Sequence, residues 1–340
     1  MTGPGERLPQ SSEPQAAAAE PAPARLGLRT FSLDGRHAPG LYLVGWLASL
    51  LGAATIFVVL LAQPSDLAGA ILLGAGTLLL SVGLAAAGSQ AIERQAGATL
   101  AYRGPSPFLL FCCYVALTLF LEVLAFLPLQ ALGVRAGTVV ETLVGLLILN
   151  GSAILLVAGL VVGSGALTWR EMGLPTRGPG GPAIRLLVLQ LLEGMLLAAP
   201  ILFITVVLGS VLIGLLGTSP PGPLPPATNA TDAVINLVSG VIIAPLGEEI
   251  FYRGFATTAW VRGMGARGGI IRGALLFSVA HVLTLSGSPS DAAIAFLTRL
   301  PVALALGIIF VRRGSLASSF GLHAMFNAIP LILVGLSFGT

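Results

Sequence analysis

Two adjacent glutamates, Glu248 and Glu249, lie in a stretch of the chain that is otherwise almost entirely apolar. A carboxylate in hydrocarbon costs on the order of 3 kcal/mol, and a neighbouring carboxylate adds repulsion. The pair therefore needs partners, and His281 and His323 stand in two later apolar stretches of a chain that has only 3 histidines. Acids and imidazoles gathered inside a membrane indicate a site that handles protons or metal ions.

Further polar and aromatic side chains stand four residues away from these groups, which places them on the same helix face. Together they supply a carboxylate base for water, imidazoles to hold that water and donors for a developing oxyanion, which is a set sufficient for hydrolysis. The pairs are Glu249 with Arg253, Phe277 with His281, and His323 with Asn327. The candidate catalytic residues are thus Glu248, Glu249, Arg253, His281, His323 and Asn327.

The same groups leave two mechanisms open. Glu248, His281 and His323 have the ligand types of a zinc site with an open coordination position. They are equally able to activate water without a metal ion, and we favour this metal-independent mechanism.

The composition predicts a membrane protein. The chain is 55% hydrophobic and only 9% charged, and its apolar runs are long and continuous, so we expect an all-α, polytopic helical bundle of about eight or nine spans and not a barrel. The net charge of +3 is too small to suggest a nucleic-acid partner. The expected partners are membrane lipid and a peptide or protein substrate.

The chain divides into three expected regions. Residues 1–38 are rich in Pro, Ala, Gly, Ser and Glu, which is typical of a disordered tail. Residues 39–166 are expected to form N-terminal transmembrane helices, and residues 167–340 a catalytic membrane core. The predicted spans are approximately 41–62, 68–88, 107–132, 139–163, 184–217, 233–256, 269–286, 291–311 and 315–337, and the long fifth span is expected to be tilted or broken near Pro200.

Arginine placement predicts the orientation. Arginines concentrate in the N-terminal tail and in every second loop, whereas the alternate loops carry Arg135 alone. By the positive-inside rule the N-terminus is cytosolic, and an odd number of spans puts the C-terminus outside. The 17 basic residues are all Arg, which suggests a GC-rich, bacterial genome and hence a multi-pass protein of the bacterial cell membrane.

The polar groups of the three motifs are expected to lie at a similar depth in the membrane. At 1.5 Å per residue, Glu248 lies about 24 Å inward from Asp232, in the cytosolic part of a core about 30 Å thick. Counted from Arg272 and Arg313 at the cytosolic side, His281 and His323 lie about 13 and about 15 Å into the membrane. Three spans therefore converge in the inner half of the bilayer.

These three elements resemble the signature of the CAAX protease and bacteriocin-processing (CPBP, Abi) family of intramembrane endopeptidases, which includes the type II CAAX prenyl endopeptidases. The motif EExxxR stands at residues 248–253, FxxxH at 277–281 and HxxxN at 323–327. The resemblance covers about residues 168–335, including the interfacial stretch that starts at Trp169.

The resemblance implies a role for each motif residue. Glu248 would activate water together with His281, while His323 and Asn327 would stabilise the oxyanion. Glu249 and Arg253 would orient the base and help bind substrate. The implied reaction is hydrolysis of a peptide bond, with a cut near the C-terminus of a lipid-modified or membrane-associated protein as one expectation.

Two other classes remain open on the sequence. A proton-coupled transporter can use buried Glu, His and Arg, although no repeat pairs one half of the chain with the other. A non-catalytic bacteriocin-immunity or scaffold protein can share the fold without needing all six motif residues.

Several polar residues of the predicted spans lie outside the motifs. We expect structural pairing for each of them, with substrate contact as the alternative. They are Glu122, Asn150, Glu193, Asn236 and Arg299. The only cysteines, Cys112 and Cys113, are adjacent in an apolar run and are expected to be packing residues.

Overall fold

The computed structural model describes residues 39–62, 67–95, 102, 104–135, 137–175, 184–283 and 288–336. Within those residues every regular element is helical, so the predicted all-α bundle is confirmed. The expected disordered tail, residues 1–38, lies outside the described residues.

The first two helices, α1 (Pro39–Ala62) and α2 (Leu67–Gln95), form a close antiparallel pair. Glycines make this approach possible: a β-carbon at Gly52 would lie 2.5 Å from the backbone nitrogen of Leu80, and one at Gly83 would lie 2.5 Å from that of Ser49. Small residues of this kind let membrane helices pack backbone to backbone, where hydrophobic burial offers no driving force. The pair contacts the rest of the bundle through α3 (Pro107–Ala131).

The next two helices precede the first motif in the chain. Helix α4 (Val139–Leu156) continues into a π-helical stretch, Val157–Val162, and α5 spans Ile184–Leu216. Although Pro200 lies inside α5, the helix is continuous, so a break at this proline is wrong, while the other expectation, a tilted span, stays a prediction. Lacking an N–H, a proline removes one backbone hydrogen bond, and membrane helices tolerate that loss.

The first motif lies on one long helical segment built from α6 (Ala230–Val238), α7 (Ala244–Glu248) and the start of α8 (Thr258–Leu283). Two π-helical stretches, Ser239–Ile243 and Glu249–Thr257, interrupt its α-helical pattern. The second of them carries Glu249 and Arg253, and π-helical turns are frequent at functional sites.

Helix α8 reverses direction at Gly265, which has φ 81° and ψ 167°. A side chain is strained at this φ, so glycine suits the position. The two arms then pack against each other: a β-carbon at Gly269 would lie 2.5 Å from the Val261 side chain, and one at Gly273 would lie 2.3 Å from the Thr257 hydroxyl oxygen. We call this turn and its two arms, residues 249–283, the Gly265 hairpin.

The reversal at Gly265 affects how the membrane spans are counted. Among the described residues, seven helices are long and apolar enough to cross a membrane, and one of them, Ala230–Leu283, contains both arms of the hairpin. Helix α1 adds a shorter apolar stretch, Leu43–Val59. The expected loop after the sixth span is absent, because Arg262 and Arg267 lie on the two helical arms and the turn is a single glycine.

Helices α9 (Pro289–Arg313) and α10 (Leu316–Leu336) complete the bundle. One apolar core joins α3 to the segment that carries the first motif, because Phe111 and Tyr114 of α3 pack with Phe251 and Tyr252. The ring centroids of Tyr114 and Phe251 are 5.0 Å apart. A second core, which includes Leu322, joins α5, α9 and α10.

Candidate active site

The Gly265 hairpin determines which residues of the second motif lie opposite the residues of the first motif. Thr257 faces Gly273, and both residues are equally far from Gly265 in the sequence. The same register puts Phe277 opposite Arg253, where the guanidinium carbon lies 4.2 Å from the ring centroid. One further turn along, it puts His281 level with Glu249. The single glycine turn therefore brings the FxxxH motif to the glutamate pair.

Glu249 is almost completely buried, and one of its oxygens has two partners. Its Oε1 lies 3.0 Å from an Arg253 nitrogen and accepts a 2.8 Å hydrogen bond from Nδ1 of His323. A second guanidinium nitrogen of Arg253, Nη2, lies 3.5 Å from the carbonyl oxygen of Ala303 on α9. This buried cluster joins the first motif to the last, and its charges neutralise each other.

Glu248 faces both imidazoles at a longer distance. Its Oε2 is 3.7 Å from Nε2 of His323 and 3.9 Å from Nε2 of His281. The side chains of Glu248 and His281 are 12% and 25% exposed, compared with 2% for Glu249 and 5% for His323. Of the two adjacent carboxylates, Glu248 is therefore the more exposed, although its Oε2 atom is itself buried. Its Oε2 makes no direct hydrogen bond.

The hydrogen bonds at Nδ1 fix the chemical character of both imidazoles. Nδ1 of His281 lies 2.8 Å from the carbonyl oxygen of Phe277, and Nδ1 of His323 lies 2.8 Å from Glu249. A carbonyl and a carboxylate oxygen only accept, so each Nδ1 carries a proton. In the neutral ring Nε2 is then a lone-pair acceptor, and both acceptors face Glu248.

Phe277 holds these groups in place. Its ring centroid lies 4.4 Å from that of His281 and 5.6 Å from that of His323. The Arg253 guanidinium sits over its face at 4.2 Å, a cation–π contact. One buried aromatic ring therefore contacts both imidazoles and the arginine of the first motif.

Asn327 does not join this cluster directly. Its side-chain N–H donates a 2.8 Å hydrogen bond to the carbonyl oxygen of Gly240, in the first π-helical stretch. A role at the oxyanion would use its second N–H. The structure thus brings five of the six candidates together and anchors the sixth one turn further along α10.

A metal ion was the alternative for the same groups. Among the described residues, no set of three or more His, Cys, Asp or Glu side chains is arranged to hold one.

The other buried polar residues have mixed surroundings. Glu193 pairs with Arg313, whose Nε lies 3.0 Å from a carboxylate oxygen, and Asn236 donates a 2.8 Å hydrogen bond to the carbonyl oxygen of Pro225. These two are structural contacts. Asn150 packs against Gly247, where a β-carbon would lie 2.3 Å from its Oδ1. Within the described residues, neither Glu122 nor Arg299 makes a hydrogen bond or an ion pair, so neither has the expected structural partner there.

Residues 168–174, the stretch expected at the membrane interface, contact the Gly265 hairpin through a hydrogen bond. Arg262 donates a 2.7 Å hydrogen bond to Glu171, and that contact, with further bonds from Thr168, lowers the pKa of Glu171 to about 2. Both Glu171 and Arg262 are partly exposed, so the pair is worth at most about 1 kcal/mol. It positions the stretch next to the turn without dominating stability.

Comparison with known proteins identifies the region that contains this geometry. Residues 230–329 match the family described as type II CAAX prenyl endopeptidase Rce1-like. The resemblance inferred from the three motifs is confirmed over that segment, and because the family is one of proteases, the match supports a peptidase. No curated protein and no solved structure matches the chain.

Proposed function

We propose that the protein is an intramembrane endopeptidase in which Glu248 activates the water that hydrolyses a peptide bond. The observation that carries this proposal is the difference between the two glutamates. Glu249 is buried and neutralised by Arg253, whereas Glu248 is partly exposed and its Oε2 faces two imidazole acceptors at 3.7 and 3.9 Å.

Those two distances suit a bridging water. They are too long for direct hydrogen bonds and correspond to groups that share one water molecule. A water between Glu248 and the two Nε2 atoms donates one proton to the carboxylate and the other to an imidazole. One of its two lone pairs then points toward a substrate carbonyl, as general base catalysis requires.

The reaction balances with these groups alone. Glu248 takes a proton from water as the oxygen attacks the scissile carbonyl carbon. The tetrahedral intermediate then collapses, the C–N bond breaks, and Glu248 returns the proton to the leaving amine. Glu249 acts at a distance from the reacting atoms, because it keeps the proton of His323 on Nδ1 and so keeps Nε2 directed at the water.

An apolar cavity beside the site supports a lipid-modified substrate. A space of about 320 Å³ reaches Glu249, and its lining is otherwise apolar, with Leu174, Ile184, Leu246, Ile250 and Phe320 among the residues. Aliphatic and aromatic walls of this kind suit a hydrocarbon chain. We propose that this cavity receives the lipid of a membrane-anchored substrate while the peptide crosses Glu248.

The test uses purified protein in detergent with two fluorogenic peptides, one with a farnesylated cysteine followed by three residues and one without the farnesyl group. Wild-type protein should cut the farnesylated peptide preferentially, with the cut bond identified by mass spectrometry. Glu248→Gln is the control and should be inactive. Failure of the wild type to cut either peptide would count against the proposal.

A further inference from the structure

Arg299 lies on the inward face of α9, although its charge would be expected to favour water. The residues one turn away on either side, Ala295, Val302 and Ala303, are all buried. The lipid-facing side of the helix is marked instead by Leu297, Leu304 and Ile308, which are exposed. Arg299 is itself only partly buried.

Arg299 is at the level of the active site. Arg253 reaches the carbonyl oxygen of Ala303, and Arg299 lies one helical turn before Ala303. The Arg299 guanidinium is close enough to interact electrostatically with the Glu248 carboxylate and the His281 ring. It nevertheless makes no hydrogen bond or ion pair with any described residue. An unpartnered cation inside a membrane protein is costly, and such residues usually mark function.

Most donors of the motif residues are engaged elsewhere, although Asn327 keeps its second N–H. Arg253 is bound to Glu249 and Ala303. The two histidines use their Nδ1 protons on other acceptors, and their Nε2 atoms face Glu248. Asn327 donates one N–H to Gly240. The site therefore has a base and water-holding acceptors, but its motif residues offer little positive charge to an oxyanion.

We infer that Arg299 is a further catalytic residue, which stabilises the oxyanion formed when water attacks the scissile carbonyl. This inference rests on the proposed function. In the resting site Arg299 balances the charge of Glu248 without touching it. When Glu248 takes the proton of water, the negative charge moves to the carbonyl oxygen, and the guanidinium donates to it there. A preorganised hydrogen-bond donor placed where the negative charge develops stabilises the transition state more than the ground state.

The test compares three variants of the full-length protein. Arg299→Met removes the charge and keeps an apolar side chain of similar length, so it should fold at least as well as wild type in a membrane bundle. Arg299→Lys keeps the charge but loses the planar fork. Arg312→Gln, at an exposed arginine on the same helix, is the matched control.

Each protein is given the farnesylated peptide with a free C-terminal carboxylate and the same peptide as a C-terminal amide. We expect Arg299→Met to lower kcat on both peptides by roughly 10²-fold with little change in KM. Arg299→Lys should recover part of the loss, and Arg312→Gln should behave as wild type. A loss confined to the free-acid peptide and seen in KM would overturn the inference, because Arg299 would then bind the substrate carboxylate.

A second measurement does not depend on turnover. A farnesylated peptide with a phosphinate in place of the scissile amide presents a tetrahedral anion, and its binding is followed by the shift in thermal unfolding. Wild type and Arg312→Gln should be protected, and Arg299→Met should lose most of that protection. Equal shifts in wild type and Arg299→Met would overturn the role of Arg299. Binding by wild type without any cleavage would count against the proposed function and would overturn the catalytic role of Arg299, leaving it as an anion-binding residue only.

Discussion

Glu249 accepts a 2.8 Å hydrogen bond from Nδ1 of His323, a residue 74 positions later in the chain. The contact joins the first and last motifs across two helices. Because Glu249 is also paired with Arg253, it stays a charged acceptor and holds the His323 proton on Nδ1. The two adjacent glutamates therefore have different tasks, which can be separated by experiment.

Glu248→Gln should lose roughly 10²-fold or more in the rate of peptide cleavage, because the base for water is gone. Its midpoint of thermal unfolding should stay near that of wild type, since Glu248 makes no direct hydrogen bond through Oε2. Cleavage of the farnesylated peptide and thermal unfolding in detergent are both measured. Near-wild-type cleavage by this variant would contradict the assignment of Glu248 as the base that activates water.

Glu249→Gln should instead lower stability. Removing one partner of the buried pair leaves Arg253 uncompensated, a change that typically costs about 3–5 kcal/mol. Thermal unfolding of the two glutamine variants, run side by side, makes this comparison. If Glu249→Gln unfolds like wild type, the buried ion pair is not what holds the two motifs together.

Glu193→Gln and Glu122→Gln should keep a substantial part of the activity. Glu193 pairs with Arg313 in a half-exposed contact worth at most about 1 kcal/mol, and Glu122 lies on α3, outside the three motifs. The rates are compared with that of Glu248→Gln in the same assay. A loss as deep as that of Glu248→Gln would mean that the site extends further than the motif helices.

Gly247→Ala should disturb the site through packing alone. Its new β-carbon would lie 2.3 Å from Oδ1 of Asn150, and overpacking of this kind costs about 1–3 kcal/mol and shifts the neighbouring backbone. Because Glu248 is the next residue, activity should fall together with stability. Both are measured on the purified variant.

Two further variants serve as controls for that prediction. Gly151→Ala, one residue from Asn150, has no atom within 4 Å of its new β-carbon and should be neutral or slightly stabilising. Adding Asn150→Ala to Gly247→Ala removes the clash and should restore part of the activity. No recovery in the double variant would mean that contact with Asn150 is not the cause.

The sequence predicted the site well where spacing alone decided the geometry. Residues four apart on a helix share a face, and counting 1.5 Å per residue from Arg272 and Arg313 placed His281 and His323 at the depth of Glu248. Residues 248–253, 277–281 and 323 do converge in the structure.

The remaining features depend on tertiary contacts that spacing does not carry. The stretch Arg262–Gly268 has the arginines of a loop, yet only Gly265 leaves the helix, because its neighbours pack arm against arm. The π-helical stretches shift the register of residues 249–257, and hydropathy does not record them. Arg299 was visible as a charge in a span, but its nearness to Glu248 follows only from the packing of α9.

Cleavage should survive metal chelators. The mechanism uses Glu248 and two imidazoles on one water, and no group of three metal-ligand side chains is found in the described part of the chain. Purified protein is incubated with EDTA or 1,10-phenanthroline, and the rate is followed over time. A loss that added zinc reverses would favour the metal-bound alternative, in which Glu248, His281 and His323 are ligands.

The site should open toward the cytosol, with the C-terminus outside. This orientation follows from the alternation of arginines along the loops, and it lets a substrate enter from the inner leaflet. The test replaces Cys112 and Cys113 with Ala and then places single cysteines at Ser65, Ala266 and Thr340. Ala266 is exposed beside the turn of the Gly265 hairpin, so only the membrane should shield it.

An impermeant thiol reagent added to intact cells should label positions 65 and 340 and spare 266, and all three should react after the cells are opened. The reverse pattern would overturn the orientation and put the hairpin turn outside. Labelling of 65 without 340 would mean that the number of spans is wrong by one. In that case the error lies between Ser65 and Thr340, while Glu248 and its imidazoles keep their arrangement, because their contacts do not depend on which side is cytosolic.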